Sequence, residues 1–319
     1  MLYVENTHGC DINVVDTESL EIVGNIKMDP GFQPDDVVCN QDGSILYCNM
    51  ITGGDHPVRL ARGDRSVVVA YDTKSLREIW RVDVTGHVGH MAISSDDRYL
   101  YSTLFDRWYV ARVDLVTKEV TYIPVTFTGG HGIRISHDNK RLYVGSMLMS
   151  KIDKLNLETL EIEQTFLFRE NVRPFHMTKD EQRLYVQLSW THGFAVVSIP
   201  DNRLIHTIAL PTLPPEPPVI DAFPHTVDHG LEITPDEKHM VLAASTGNYV
   251  AIYSLPDLAL VKTIQVGEVP NWVTINRSGT RAYVSNRISD DVSVIDLVSF
   301  TEIKRIKVGD FPQRMWVTN

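Results

Sequence analysis

Residues 269–308 read "VPNWVTINRSGTRAYVSNRISDDVSVIDLVSFTEIKRIKV". Four short stretches in this segment alternate apolar and polar side chains: VPNWVTIN, RAYVSN, VSVIDL and EIKRIKV. β-Branched and aromatic residues crowd them, and Gly, Ser, Asp and Asn fill the gaps between. That is the pattern of four strands joined by turns. One four-stranded unit cannot bury both of its faces, so it needs neighbours of the same kind.

The neighbours are in the chain. The third strand recurs as NVVDTESLEIVGNIKM, VVAYDTKSLREIWRVDV, VARVDLVTKEVTYIPV, KLNLETLEIEQTF, AVVSIPDNRLIHTIAL, AIYSLPDLALVKTIQV and VSVIDLVSFTEIKRIKV. A polar residue ends it each time: Asp16, Asp72, Asp114, Asn156, Ser198, Ser254 and Asp296, with spacings of 56, 42, 42, 42, 56 and 42. The unit is therefore 42 residues, with two extra stretches of 14, at about residues 50–66 and 211–228. Seven four-stranded units of this length predict an all-β fold, a seven-bladed β-propeller in a single domain spanning residues 1–319. The chain begins at the second strand of a blade, MLYVEN, and ends on a lone first strand, DFPQRMWVTN. The C-terminal strand is expected to complete the N-terminal blade and so remove two sheet edges.

The strand texts LYVGS, AYVSN and MWVTN resemble the YVTN-repeat family of seven-bladed propellers. The resemblance covers nearly the whole chain. It implies the fold, while its implied functions diverge: binding proteins, cofactor-enzyme subunits and, as distant relatives, lactonase- and streptogramin-lyase-like propellers.

The net charge of −11 excludes a phosphate-tracking nucleic-acid binder and disfavours docking on anionic membranes. No apolar run approaches the roughly 18–20 residues that span a bilayer. Cys10, Cys39 and Cys48 form no CxxC pair and read as reduced thiols, and the first residues show neither a basic nor a long apolar leader. A cytoplasmic location is the expectation. ITGGDHP and FTGGHGI carry Gly pairs without a following Lys-Ser/Thr, so no nucleotide cofactor is expected.

The innermost strands align as DDVVCN, GHMAIS, HGIRIS, RPFHMT, HGLEIT, NWVTIN and QRMWVT. One register holds Asp35, Gly89, His131, Arg173, His229, Asn271 and Gln313. A second, three residues on, holds Val38, Ala92, Arg134, His176, Glu232, Thr274 and Trp316. His90 falls one step out of register. Six ionisable groups from successive blades are thus expected on one side of a central channel. Nine of the twelve histidines fall at entrances of these strands or on loops between second and third strands, the same face, which also receives both extras.

Imidazole and carboxylate suit a divalent metal such as zinc, iron, nickel or copper, with magnesium or calcium left open. The expected ligands are His131, His176, His229 and Glu232. The expected acid–base groups are His176, His229 and Glu232, because histidine exchanges protons near neutrality. Arg134 and Arg173 would hold an anionic substrate group, with His90, His225, Trp108 and Trp190 as further contacts. The sequence-based reading is a small-molecule enzyme of lyase, cyclase/isomerase or hydrolase type. Its alternatives are a non-catalytic ligand- or protein-binding scaffold and a non-haem oxidative enzyme.

Overall fold

The computed structural model describes residues 1–52, 65–211 and 226–318. Its strands form seven four-stranded antiparallel sheets, and no helix occurs among the described residues. The fold is an all-β, seven-bladed β-propeller. Most of the two extra stretches, and His225 with them, lies outside the described residues. No helix among the described residues is long and apolar enough to cross a membrane.

The chain falls into two compact units. Unit one comprises Met1–Lys27, Gln187–Ala195 and Thr207–Asn319. It contains the blade made by both chain ends, in which Pro312–Val317 lies beside Leu2–Asn6, followed by Asp11–Val15 and Ile22–Lys27. Leu2 pairs with Val317, Tyr3 with Trp316 and Val4 with Met315, as the unpaired terminal strands of the sequence require. Leu2, Val4 and Met315 are buried in one apolar cluster with Trp272, Tyr283 and Val294.

Unit two comprises Met28–Val186 and Val196–His206. It contains the three complete blades that begin with Phe32–Cys39, Val88–Ile93 and Gly130–Ile135. Facing sheets bury Val110, Ile123, Phe127, Ile133, Leu142 and Leu155 against one another. Each such side chain contributes roughly 1.5–3 kcal/mol on leaving water. Second and third strands are buried on both faces, whereas fourth strands such as Glu78–Val84 are largely exposed.

The repeating polar residue has a local cause. The Oδ1 atoms of Asp16, Asp114, Asn156 and Asp296 each accept backbone N–H groups two and three residues on, and that of Asp72 accepts the N–H of Ser75. A side chain that closes the turn after the third strand is needed once per blade, which is why it marks the repeat.

Candidate metal and ligand site

The first strands of the blades are not regular. Register shifts fall between Val88 and Met91, between Gly130 and Ile133, and between Pro270 and Trp272. At the next such strand both His229 and Gly230 bond one residue, the His229 N–H donating to Ala243 O at 3.3 Å and Gly230 O accepting from Ala243 N at 2.9 Å. An extra residue at such a bulge re-aims the side chains around it. His90 and His131 both sit inside these irregular stretches.

In unit two the result is a buried pair. His90 and His131 are 3% and 6% exposed, with their Nε2 atoms 3.2 Å apart. Two Nε2–H groups cannot face each other at that distance, so at most one of these nitrogens carries a proton. Their backbones are pinned together: the Thr103 hydroxyl reaches His131 O at 3.1 Å and His90 O at 3.4 Å. The Asn49 side chain donates to Gly89 O at 2.6 Å.

In unit one His229 is 2% exposed, and its Nδ1 lies 3.0 Å from Asn271 O. A carbonyl can only accept, so Nδ1 carries the proton and the neutral ring presents its lone pair at Nε2. A carbonyl on one imidazole nitrogen is the arrangement that orients a metal-binding histidine. Gly230 follows with φ +91°, and a Cβ there would stand 2.4 Å from the same Asn271 O. Only glycine fits this turn.

Buried His90 and His131 in unit two each offer one imidazole nitrogen that could hold a metal ion, and in unit one buried His229 offers another. His131 and His229 are expected ligands, whereas the sequence assigned His90 to substrate. His176 and Glu232 are half-buried and are not among these candidates. The His176 Nδ1 is 2.8 Å from Met177 O, so its proton sits there and Nε2 is the basic nitrogen. Arg173 is buried and Arg134 half-buried, both on first strands. Trp108 and Trp190 are 50% and 64% exposed, as surface-contact residues must be.

One constellation in unit one has no counterpart in the sequence reading. Asp228, fully buried, accepts from Gly193 N at 2.8 Å and lies 3.0 Å from His192 Nδ1. The Tyr249 hydroxyl is 3.2 Å from His192 Nε2 and donates to Pro211 O at 2.5 Å. Hydrogen bonding to the Asp228 carboxylate holds His192 above its ordinary pKa, and burial pushes the Asp228 carboxyl up.

No protein-family model and no curated protein matches the chain. Solved structures do. Hydrazine synthase of Kuenenia stuttgartiensis aligns over 91% of this chain and 90% of its own, at 16% identity and a TM-score of 0.71. A Bacteroides fragilis NCTC 9343 protein provisionally assigned as a 6-phosphogluconolactonase aligns over 98% of this chain and 96% of its own, at 15% identity and a TM-score of 0.74. A protein of unknown function from Desulfotomaculum acetoxidans DSM 771 aligns over 98% of both chains, at 14% identity and a TM-score of 0.74. At such identities the likeness is one of fold: this chain is built as a seven-bladed propeller, like theirs.

Proposed function

We propose that this propeller binds a divalent metal ion through the Nε2 atoms of His90 and His131 and acts on a small anionic substrate there as a metal-assisted hydrolase or lyase. The observation that carries the reading is the 3.2 Å separation of the His90 and His131 Nε2 atoms. Two nitrogens bound at about 2.0–2.1 Å to one ion, at angles between octahedral and tetrahedral, stand about 2.8–3.4 Å apart. The pair therefore has the spacing of two ligands on one cation.

Two neutral imidazoles leave a dication uncompensated and leave positions open for water and substrate. The ion would polarise a carbonyl or phosphoryl oxygen and acidify bound water. Arg173 and Arg134 are assigned to the anionic part of the substrate, Trp108 to its apolar part, and His176 to proton transfer. The hydrolase arm draws support from the provisional lactonase assignment of the Bacteroides fragilis neighbour. That assignment makes sugar-acid lactones the first substrates to try.

The test is metal content and turnover of untagged protein, stripped with chelator and reconstituted with zinc, iron(II), nickel, copper, manganese, magnesium or calcium. The expected result is about one ion per chain with wild type, loss of the ion with His131→Ala, and metal-dependent turnover of a lactone or ester. Bound metal without turnover across the panel would favour a binding module. Wild-type protein that takes up no ion under any condition would overturn the reading.

A further inference from the structure

We infer that unit one carries a second small-molecule site, a cavity that takes an anionic group, carboxylate or phosphate, against Arg277 and Arg281. None of its residues belongs to the metal reading, so the two stand or fall separately.

The cavity measures about 490 Å³, and its wall includes Thr17, Glu18, Arg277, Ser278, Arg281 and Tyr283. That volume is in the range of small-molecule sites, about 300–1,000 Å³. Two stretches of chain supply these residues. Thr17 and Glu18 belong to the turn after Asp11–Val15 of the N-terminal blade. The others come from the turn between Pro270–Ile275 and Arg281–Asn286 and from the start of the latter strand. This turn lies at the opposite end of its first strand from Asn271.

The charge of that turn sets it apart. Six turns among the described residues join a first strand to the second strand of the same blade. In five of them an aspartate, Asp42, Asp96, Asp138, Asp180 or Asp236, accepts through Oδ1 the backbone N–H two residues on. Ser278 stands at that position in the sixth. The N–H that an aspartate there would take, that of Thr280, donates instead to Asn276 Oδ1 at 2.9 Å, and Arg281 N donates to the same oxygen at 2.9 Å. A neutral amide replaces the carboxylate, so the turn keeps its closure and loses its negative charge. Beside Ser278 stands Arg277, where the sister turns have Gln41, Ser95, His137, Lys179 and Pro235. The fold does not require either change, because five turns close with the acid. An anion site at the cavity requires both.

The two guanidiniums are held differently. Arg281 is half-buried, and its Nη1 donates to Thr17 O at 2.5 Å, which fixes the planar group between the two stretches. A second contact reaches the buried Tyr283 phenol. A guanidinium has five N–H donors in a rigid fork, so these contacts leave donors for carboxylate or phosphate oxygens. Arg277 is exposed and, among the described residues, enters no ion pair. The nearby aspartates are committed to their own turns. Asp16 accepts from Glu18 N and Ser19 N, and Asp296, opposite Arg281 in the strand pairing, accepts from Val298 N and Ser299 N. Among the described residues Glu18 is the only carboxylate on the cavity wall, and its charge opposes an anion there.

The experiment uses chelator-stripped, desalted full-length protein at fixed ionic strength. Inorganic phosphate, glycerol phosphate and succinate are the probes, with sodium chloride and glycerol as controls, followed by melting temperature and isothermal titration. A ligand that binds only the folded chain raises the melting temperature. Phosphate or succinate is expected to raise it above the chloride control, and the tighter of the two identifies the anion. Arg277→Gln is expected to weaken that binding by about 3–10-fold, and Glu18→Gln to tighten it by about 2–5-fold. Both substitutions are at exposed positions, so they carry the comparison should Arg281→Lys, which disturbs the bond to Thr17, fail to fold. His131→Ala is expected to bind the anion as wild type does. No shift beyond chloride with any probe would overturn the inference. So would Arg277→Gln of undiminished affinity, or loss of the anion in His131→Ala, because the anion would then sit elsewhere.

Discussion

The Nε2 atoms of His90 and His131 lie 3.2 Å apart in a buried setting, although the two residues come from different blades and occupy different positions in the repeat. The bulges at Val88–Met91 and Gly130–Ile133 allow this, because each shifts its strand against the second strand of its blade. His90→Ala and His131→Ala are each expected to cost more metal affinity than the about 10–100-fold typical of an outer partner. His176→Ala is expected to leave affinity within a few-fold of wild type and to lower turnover instead. Isothermal titration with zinc, read beside initial rates, separates the two. Undiminished zinc binding in His90→Ala would remove that residue from the ligand set.

Metal uptake should also fall steeply with acid, because imidazole binds a cation only when neutral. Between pH 7 and pH 5 the apparent zinc affinity is expected to drop by more than tenfold for each proton displaced, since histidine ordinarily titrates near 6.5. A flat profile across that range would mean that carboxylates or backbone oxygens hold the ion.

The pairing of Leu2 with Val317 and of Val4 with Met315 makes the N-terminal blade depend on both chain ends. Deleting residues 311–319 removes one strand and exposes the edge of Leu2–Asn6, which is wholly buried in the intact protein. Loss of cooperative unfolding and aggregation are expected. Met315→Ala, a milder change, is expected to cost about 2–5 kcal/mol, measurable by urea denaturation. A truncated chain that stays soluble and melts sharply would show that the remaining three strands suffice.

The fold was legible because its signals are local. Asp16, Asp72, Asp114 and Asp296 close turns two or three residues away, so their spacing prints the blade period directly on the sequence. The site was only partly legible. His131 and His229 share a register in the sequence and His90 falls one step out of it, and a bulge leaves no mark in a pattern of alternating residues. Asp228 and His192 are separated by 36 positions, and Tyr249 and His192 by 57, so nothing near any of them announces the contact. His176 and Glu232 share the expected register, yet a shared register fixes only the strand face. It does not fix how deep the side chain sits.

Gly230→Ala should report on stability. The residue has φ +91°, and the added methyl would press on Asn271 O, the atom that orients His229. Strain at such a backbone position is of order 1–3 kcal/mol before the clash is counted. A lower urea midpoint is expected. An unchanged midpoint would mean that the turn relaxes around the added methyl without cost.

The His192–Asp228 pair gives stability a pH dependence of definite sign. The pKa of His192 is raised, first by its hydrogen bond to Asp228 and opposed by burial. Its folded value therefore lies above the ordinary value of about 6.5 that the unfolded chain shows. A group shifted in that direction contributes stability fully below the unfolded pKa and loses it as pH rises through the folded one. Asp228, raised chiefly by burial, acts in the same sense, because ionising a desolvated carboxylate beside a neutral imidazole is unfavourable. Melting temperatures of wild type and His192→Gln should be compared in chelator, so that metal binding does not enter. The advantage of wild type is expected to be largest near pH 6 and to shrink toward pH 9. Taking the difference between the two proteins cancels titrations elsewhere in the chain. A difference that is constant with pH would show that the pair carries no net proton on folding, and one that grows toward pH 9 would show that His192 is neutral in the folded protein.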